Sequence, residues 1–264
     1  MIRSDFHCHT RYCDGKDSPA VMVRSALEKG MTALGFSGHS CAPFDPGCPG
    51  MLPDSEAKYR REIKRLKKRY EGQISIYCGV EQDIFSPAPE KPFDYVIGSV
   101  HYIKAGDGLF AVDDTPEILK ELCDTHFGGD MYALCAAYFE TVSRVHEATG
   151  CDIIGHFDLI SKFNGSGTLF DTQDPRYISA WKSAADELLK AGVPFEINTG
   201  AMSRGYRKEP YPSLDIIKYI NEKGGRFVLS SDAHRKEDLM YGFGEVQELL
   251  RLLSIEARTF TPRS

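Results

Sequence analysis

Two histidines, His7 and His9, stand one residue apart near the amino terminus, within the run HCHT. They close a short apolar segment, residues 2–9, that we predict to be a β-strand. Side chains two positions apart on a strand project from the same face, so both imidazoles can reach one metal ion. Taken alone, the pair is equally compatible with one packed and one exposed histidine. The other predicted strands must decide between these interpretations.

Residues of metal-binding types recur at the ends of those strands. Short apolar runs rich in β-branched residues predict seven strands, at residues 2–9, 33–39, 74–81, 95–101, 153–156, 194–199 and 227–232. Six of the seven finish on His, Glu or Asp, and the resulting set is His7, His9, His39, Glu81, His101, His156, Asp232 and His234. The two remaining histidines, His126 and His146, are predicted to be structural or surface residues, in a connecting loop and a helix.

Predicted helices separate the predicted strands, and this alternation determines where the strand ends lie in the fold. Helical patterns cover residues 18–29, 54–70, 116–122, 131–148, 175–191, 213–222 and 236–253. Alternating strands and helices predict a parallel sheet, and seven such units predict a distorted (β/α)7 barrel in one domain, residues 1–264. In a barrel the carboxyl ends of the strands share one face, where long loops build the site. Residues 40–53 and 104–114 are predicted to be such loops.

A dense group of ionisable side chains is costly to bury unless a cation satisfies it. Mixed imidazole and carboxylate ligands suit Zn²⁺, Mn²⁺ or Fe²⁺, whereas Mg²⁺ and Ca²⁺ prefer oxygen ligands. One tetrahedral zinc takes about four ligands, so the larger set predicts two or three ions, with Glu81 or Asp232 bridging. Asp14 could be a further ligand, but Asp-Gly is also a turn signal, and spacing alone leaves both interpretations open.

Composition excludes several other classes of protein. The net charge of −6 argues against a nucleic-acid partner, and the basic run at residues 60–69 is predicted to be the solvated face of a helix. No apolar run reaches the ~20 residues of a membrane span, and the start of the chain does not resemble a secretory signal. The eight scattered cysteines without a CxxC pair predict reduced thiols and a cytoplasmic location. The oligomeric state is left open.

Six motifs resemble, in order, those of the polymerase and histidinol phosphatase (PHP) superfamily. They are His7-Cys8-His9-Thr10, Gly38-His39-Ser40, Gly79-Val80-Glu81, Gly98-Ser99-Val100-His101, Gly155-His156 and Ser231-Asp232-Ala233-His234. The sequence around these motifs resembles that of the histidinol-phosphatase branch, in PGMLP at 49–53, FDYVIGSVH at 93–101 and EPYPS at 209–213. The similarity covers nearly the whole chain.

The resemblance implies a distorted (β/α)7 barrel with three metal ions. It implies that His7, His9, Glu81 and Asp232 bind the first ion, and that Glu81 bridges to a second ion completed by His101 and His156. The third ion would be held by His39 and His234, with Asp14 where some relatives carry histidine. Gly38 stands where many relatives have aspartate, which removes a carboxylate partner of His39 and is expected to loosen the third ion.

The resemblance also implies a reaction, the hydrolysis of a phosphate monoester. The substrate that it favours is L-histidinol phosphate. The nucleophile would be a hydroxide shared by two cations, with Glu81, Asp232 and His234 as the catalytic residues. The leaving oxygen could be protonated by metal-bound water, or by His39 or His234 if the third ion is absent. Phosphate would be gripped by the metals together with residues that follow the strands, namely Ser99, Lys162, Arg204 and Arg207. Each of these charged residues could instead be a solvated loop residue.

One departure bears on the substrate, because Ser161 stands where relatives in this branch often carry a phosphate-binding arginine. Three alternatives therefore remain open. The chain could be a PHP phosphoesterase for another small phosphoester such as a nucleotide, or an amidohydrolase-like metal hydrolase. It could also be a metal-stabilised scaffold without activity, although the complete ligand set argues against this.

Overall fold

The computed structural model describes residues 2–47 and 50–262, in which strands and helices alternate. The strands are β1 (Ser4–Asp5), β2 (Ala33–Phe36), β3 (Ser75–Cys78), β4 (Val80–Asp83), β5 (Val96–Ser99), β6 (Tyr102–Ala105), β7 (Gly108–Ala111), β8 (Ile153–Ile154), β9 (Phe195–Asn198) and β10 (Phe227–Ser230). The helices are α1 (Pro19–Glu28), α2 (Pro53–Arg69), α3 (Pro116–Phe127), α4 (Met131–Ser143), α5 (Val145–Thr149), α6 (Pro175–Leu189), α7 (Gly200–Ser203), α8 (Leu214–Glu222) and α9 (Phe243–Leu252).

Two parallel sheets carry the fold. One has the order β1-β2-β3 and the other β10-β9-β8-β5-β4, and every neighbouring pair in both is parallel. Single parallel bridges, Cys8 with Ala233 and His39 with Glu81, join the two sheets on both sides. The predicted α/β class is thus confirmed. The described residues form no single closed ladder of strands, so the barrel itself is not shown.

The predicted strand at residues 74–81 divides at Gly79 into β3 and β4, which belong to different sheets. The ring of Tyr95 lies directly beneath this point, and a Cβ at Gly79 would come within 2.3 Å of it. The Tyr95 hydroxyl donates to the carbonyl oxygens of Phe6 and Phe36, at 2.6 and 3.0 Å. Glycine therefore lets the chain change sheets over a buried tyrosine that ties β1 to β2.

Three local predictions were wrong. Residues 104–114 are not simply a loop, because β6 and β7 form an antiparallel hairpin there, turning at Gly106 with a φ of 57°. The helix predicted over 131–148 divides at Arg144 into α4 and α5. The helix predicted over 236–253 begins only at Phe243, after a 3-10 turn at Lys236–Asp238 and the left-handed Gly242.

Helices cover the outer faces of the sheets and leave the loops after the strands free. The apolar sides of α4, α6 and α8 are buried in one cluster with β9 and β10, for instance through Tyr138, Trp181 and Ile217.

His126 lies in the last turn of α3, not in the predicted loop, and its ring contacts Phe110 with centroids 4.5 Å apart.

Six of the described cysteines are free thiols, as the cysteine pattern predicts, namely Cys8, Cys13, Cys78, Cys123, Cys135 and Cys151. Cys48 and Pro49 lie outside the described residues. Within residues 2–47 and 50–262, no helix has the length and apolar character needed to cross a membrane.

Candidate metal centre

The predicted ligand residues lie together, at or just beyond the carboxyl ends of the strands. His7 and His9 follow β1, His39 follows β2, Glu81 lies within β4, His101 follows β5, His156 follows β8, and Asp232 and His234 follow β10. The first and last of these segments are joined by backbone hydrogen bonds, from His9 N to Ala233 O at 2.8 Å and from Ala233 N to His7 O at 3.1 Å. Parallel strands thus gather their polar ends on one side of the molecule.

Glu81 lies at the centre of this group and is almost fully buried. Its Oε2 lies 3.2 Å from His7 Nε2 and 2.9 Å from His39 Nδ1. Its Oε1 lies 2.8 Å from His156 Nε2 and 3.2 Å from His101 Nε2. The two carboxylate oxygens therefore face two different sets of histidines, which is the arrangement that a bridging ligand between two cations requires.

Asp232 completes the set around His7 and His9. Its Oδ1 lies 3.0 Å from His9 Nε2 and 3.7 Å from His7 Nε2, and its Oδ2 accepts a hydrogen bond from Arg204 Nη2 at 2.9 Å. A Cβ at Gly200 would come within 2.7 Å of that Oδ2, so glycine leaves room for the carboxylate and its arginine. Asp232 can offer one oxygen to a cation while Arg204 holds the other.

Asp14 lies on the more open side of the group. Its Oδ2 is 2.9 Å from His234 Nε2 and 3.6 Å from His39 Nε2, and its Oδ1 is 3.4 Å from His9 Nδ1. Potential ligand atoms of these four residues lie within 4.8 Å of one another. This geometry favours the ligand interpretation of Asp14 over that of a turn residue alone.

His39 does not belong to one group only. Its ligand atoms also lie within 4.8 Å of those of Glu81 and His101, while His7, His9 and Asp232 form a third such group. The resemblance assigns His39 to the ion that Asp14 and His234 would bind. The geometry equally allows His39 to bind an ion together with Glu81 and His101.

The residues fit divalent cations, because several of their polar atoms are buried without a hydrogen-bond partner. Among the described residues, His7 Nε2, His9 Nε2 and Glu81 Oε2 lack one, and all three point into the same space. An unsatisfied buried polar atom costs several kcal/mol, and a cation between these atoms would remove that cost. Nitrogen and carboxylate donors in this mixture suit Zn²⁺, Mn²⁺ or Fe²⁺.

Mutual attraction between imidazoles and carboxylates dominates the electrostatics. Burial alone would lower the pKa of His101, but Glu81 and Asp83 raise it to about 10. Burial would raise the pKa of Glu81, but His7 and His39 hold it well below its usual range. The pKa values of His7, His9 and His39 are raised in the same way by neighbouring carboxylates, against the effect of burial. In the absence of a cation, these histidines and His101 therefore retain protons. Metal binding must release these protons, so metal affinity is expected to increase with pH.

A cavity of about 360 Å³ opens from this centre and is lined by two of the imidazoles, His39 and His101. Lys162, predicted to bind phosphate, lines the same cavity. Its Nζ donates to the backbone oxygen of Asp113 at 2.5 Å and to the carboxylate at 3.1 Å. The structure thus brings Lys162 beside the centre, with much of its charge already compensated by Asp113.

Arg207 is placed differently. Its guanidinium donates to Ser161 Oγ at 2.6 Å and contacts Asp158 at 3.3 Å, in a second cavity of about 980 Å³. An arginine at the buried position 161 would have to displace this guanidinium. Ser99 is also buried, with its Oγ against Gly155. Of the four predicted substrate-binding residues, Lys162 lines the cavity beside the centre and Arg204 contacts Asp232, whereas Arg207 lies in the second cavity.

Two carboxylates around the centre were missed by the sequence analysis. Glu196 in β9 lies 2.6 Å from His7 Nδ1, and Asp83 Oδ2 lies 3.4 Å from His101 Nδ1. Asp83 had a signal, because it stands two residues after Glu81 and therefore on the same face of β4. Glu196 had a weaker signal, as the acidic residue of a strand whose end is polar, through Asn198.

Comparisons with known proteins agree with this geometry. Residues 5–200 match the family model of the PHP domain. The chain is 31% identical to a probable histidinol-phosphatase of Deinococcus radiodurans over 98% of its own length and 96% of that protein. It is 26% identical to the histidinol-phosphatase of Bacillus subtilis, over 92% of this chain and 97% of that one.

A solved structure shares the fold. The histidinol phosphate phosphatase of Lactococcus lactis, crystallised with zinc, L-histidinol and phosphate, superposes with a TM-score of 0.71 at 20% identity. The match covers 98% of this chain and 97% of that one.

Proposed function

The chain belongs to the PHP domain family, and from that premise we propose that it is a metal-dependent histidinol-phosphatase. The reaction is the hydrolysis of L-histidinol phosphate to L-histidinol and phosphate. The observation that carries this proposal is the position of Glu81, whose two oxygens face separate sets of histidines beside a cavity of small-molecule size. The assigned activity of relatives that align with almost the whole chain supports the choice of substrate.

We assign two or three divalent transition-metal ions to the centre. His7, His9 and Asp232 would hold one with Glu81 Oε2, and His101 and His156 would hold another with Glu81 Oε1. His39, His234 and Asp14 would hold a third. When bound, such ions supply positive charge for the phosphate and lower the pKa of water towards 7. The zinc in the Lactococcus lactis structure supports this class of ion.

The residues of the chain itself set the geometry of the reaction. Glu81 and Asp232 hold opposite sides of the centre, while Arg204 presents a guanidinium beside Asp232 to the incoming phosphate. Arg204 Nη1 also lies 3.1 Å from His234 Nδ1, which fixes that ring. His39 and His234 are the most exposed imidazoles of the group, with 19% and 21% of their side chains exposed against 13% for His101. For the state in which the third site holds no ion, we assign to one of them the proton for the leaving oxygen.

The substrate assignment is tested by steady-state kinetics. L-histidinol phosphate, a nucleoside monophosphate, a generic aryl phosphate, and an amide and lactone panel should be compared on one preparation. We expect kcat/KM for L-histidinol phosphate to exceed that of the other phosphoesters by at least ~10²-fold, since a fitted polar site rejects ligands that leave its groups unpaired. Clear activity on another phosphoester with none on L-histidinol phosphate would keep the family and refute the substrate.

Replacing Arg204 with alanine should reduce kcat/KM by about 10–150-fold, because it removes a charge-assisted contact worth roughly 1.5–3 kcal/mol. Arg258→Ala serves as the control, since that side chain is exposed and forms an ion pair with the equally exposed Glu256, and a surface change of this kind should cost less than about 0.5 kcal/mol. Metal content should be measured on both variants. An Arg204→Ala protein with full metal and unchanged kcat/KM would contradict the assignment.

Arg207 and Ser99 remain predicted substrate-binding residues, and the same kinetic comparison on Arg207→Ala and Ser99→Ala tests them. For the whole chain we propose one domain, residues 1–264, whose two sheets act as a distorted (β/α)7 barrel, because single bridges already join them on both sides. A cytoplasmic location and the absence of a nucleic-acid partner fit the biosynthetic reaction and the charge of −6.

A further inference from the structure

We propose that Glu196 is a positioning residue that fixes His7 and His156, ligands of two different metal ions, relative to each other. The proposal rests on the metal-dependent activity described above. Glu196 lies in the middle of β9 and is fully buried. Its Oε1 lies 2.6 Å from His7 Nδ1, and its Oε2 accepts a hydrogen bond from the backbone nitrogen of His156 at 2.9 Å. One carboxylate therefore contacts a histidine on each side of Glu81.

The contact with His7 determines which nitrogen of that ring is free. A carboxylate at 2.6 Å from Nδ1 keeps the proton there, which leaves Nε2 as the lone-pair donor. That Nε2 is the atom that faces Glu81 Oε2, at 3.2 Å. Carboxylates that orient a ligating imidazole in this way fix its tautomer and ring angle, so Glu196 prepares His7 for its cation.

The contact with His156 acts through the backbone. His156 follows a strand of two residues, β8, that pairs with β9 only at Ile154 and Phe195. The Glu196 carboxylate adds one hydrogen bond to this short ladder, from the backbone nitrogen of His156. The Nε2 of the same histidine lies 2.8 Å from Glu81 Oε1. The distance between the two sets of histidines is thus set partly by one side chain.

Glu196 is itself held in place by Asn198, whose Nδ2 donates to Oε2 at 3.0 Å. Asn198 Oδ1 in turn accepts from Gly200 N at 2.8 Å, at the start of the turn that carries Arg204. Three donors therefore meet the carboxylate, from His7, His156 and Asn198. Glutamine has the same shape, but in either orientation its amide nitrogen would face one of these donors, so it cannot reproduce the arrangement.

The test is the metal affinity of Glu196→Gln, which needs no substrate. Metal-free wild type and variant are titrated with Zn²⁺ or Mn²⁺ against a chromophoric chelator. Loss of such a carboxylate typically weakens metal binding 10–100-fold, and we expect a change in that range. The Co²⁺-substituted variant should also show an altered visible spectrum, because the geometry at His7 changes. The thermal midpoint of the metal-free protein is recorded for each variant.

Asp158→Asn is the matched control. Asp158 is equally buried, but it contacts Arg207, Ser161 and Ser213. The Asp158→Asn substitution should lower the thermal midpoint of the protein without changing its metal affinity. A Glu196→Gln protein with an affinity within about threefold of wild type would overturn the proposal, whatever its stability.

If Glu196→Gln does not fold, Asn198→Ala decides the question. It leaves the carboxylate in place but removes its support, and it should weaken metal binding by several-fold. An unchanged affinity in Asn198→Ala would then refute the proposal. Failure of the histidinol phosphate assay would leave these affinities untouched, so the two proposals fail separately.

Discussion

Replacement of Glu81 by glutamine is expected to lower kcat by at least ~10³-fold. The two oxygens of this carboxylate face ring nitrogens of both sets of histidines, at 2.8–3.2 Å. Losing one major electrostatic element of a catalytic site costs about 10²–10³ in kcat, and here the same change also weakens the holding of two cations. The measurement is kcat with saturating substrate, together with metal content per chain.

The fold should survive this substitution, because Glu81 belongs to none of the apolar clusters that hold the sheets among the described residues. Circular dichroism and the thermal midpoint check this. Glu140→Gln is the control, since Glu140 is well exposed on α4 and pairs only weakly with Arg144, at 3.7 Å. Near-normal kcat in Glu81→Gln, at full metal loading, would rule out the bridging role.

The clustering of the candidate metal ligands, Asp14 excepted, could be predicted from the sequence because their positions follow from strand geometry. Each of these candidates stands at or just beyond the end of a predicted strand, and parallel strands in a barrel-like fold must bring these ends to one side. The prediction therefore needed the strand ends to be correct within about two residues, and no knowledge of loop conformation. His39 shows where this reasoning stops, since only the coordinates reveal that it reaches both Glu81 and Asp14.

Residues in loops could not be placed in the same way. Arg204 and Arg207 are three positions apart after the same strand, yet Arg204 contacts Asp232 and Arg207 contacts Asp158. Both arginines follow the short helix α7, and the chain turns between them at Gly205, whose φ is 78°, so their side chains contact different carboxylates. A spacing argument that requires only proximity to a strand end cannot separate two such residues.

The hairpin of β6 and β7 was missed for a different reason. Gly106 and Asp107 form a two-residue turn between YIKA and GLFA, a recognised hairpin signal, but the prediction of a loop rested on the absence of clear periodicity over residues 104–114. Asp113, which follows this hairpin, pairs with Lys162 in the cavity beside the centre. The misassigned segment thus contributes a wall of the proposed substrate site, and the charge of Lys162 cannot be judged without it.

Removal of the divalent ions should abolish activity, with a fall of at least ~10³-fold in kcat/KM. Their charge is worth several kcal/mol to a phosphoryl transition state, and each 1.36 kcal/mol corresponds to about tenfold in rate. The unpartnered buried atoms of His7, His9 and Glu81 would also lose the group that satisfies them. An ion present at about 1,000 times its Kd stabilises the fold by roughly 4 kcal/mol, so the thermal midpoint should fall by about 10 °C.

The experiment compares protein as purified, protein stripped with a chelator, and stripped protein supplied with Zn²⁺, Mn²⁺ or Fe²⁺. Elemental analysis of the first should give more than one equivalent of metal per chain, as the number of ligands predicts. Chelator already saturated with Zn²⁺ serves as the control for direct inhibition. Activity and thermal midpoint should return together on re-addition, since both depend on the same buried ligands. Full activity with less than half an equivalent of total metal would refute the metal centre, and the function proposed from it.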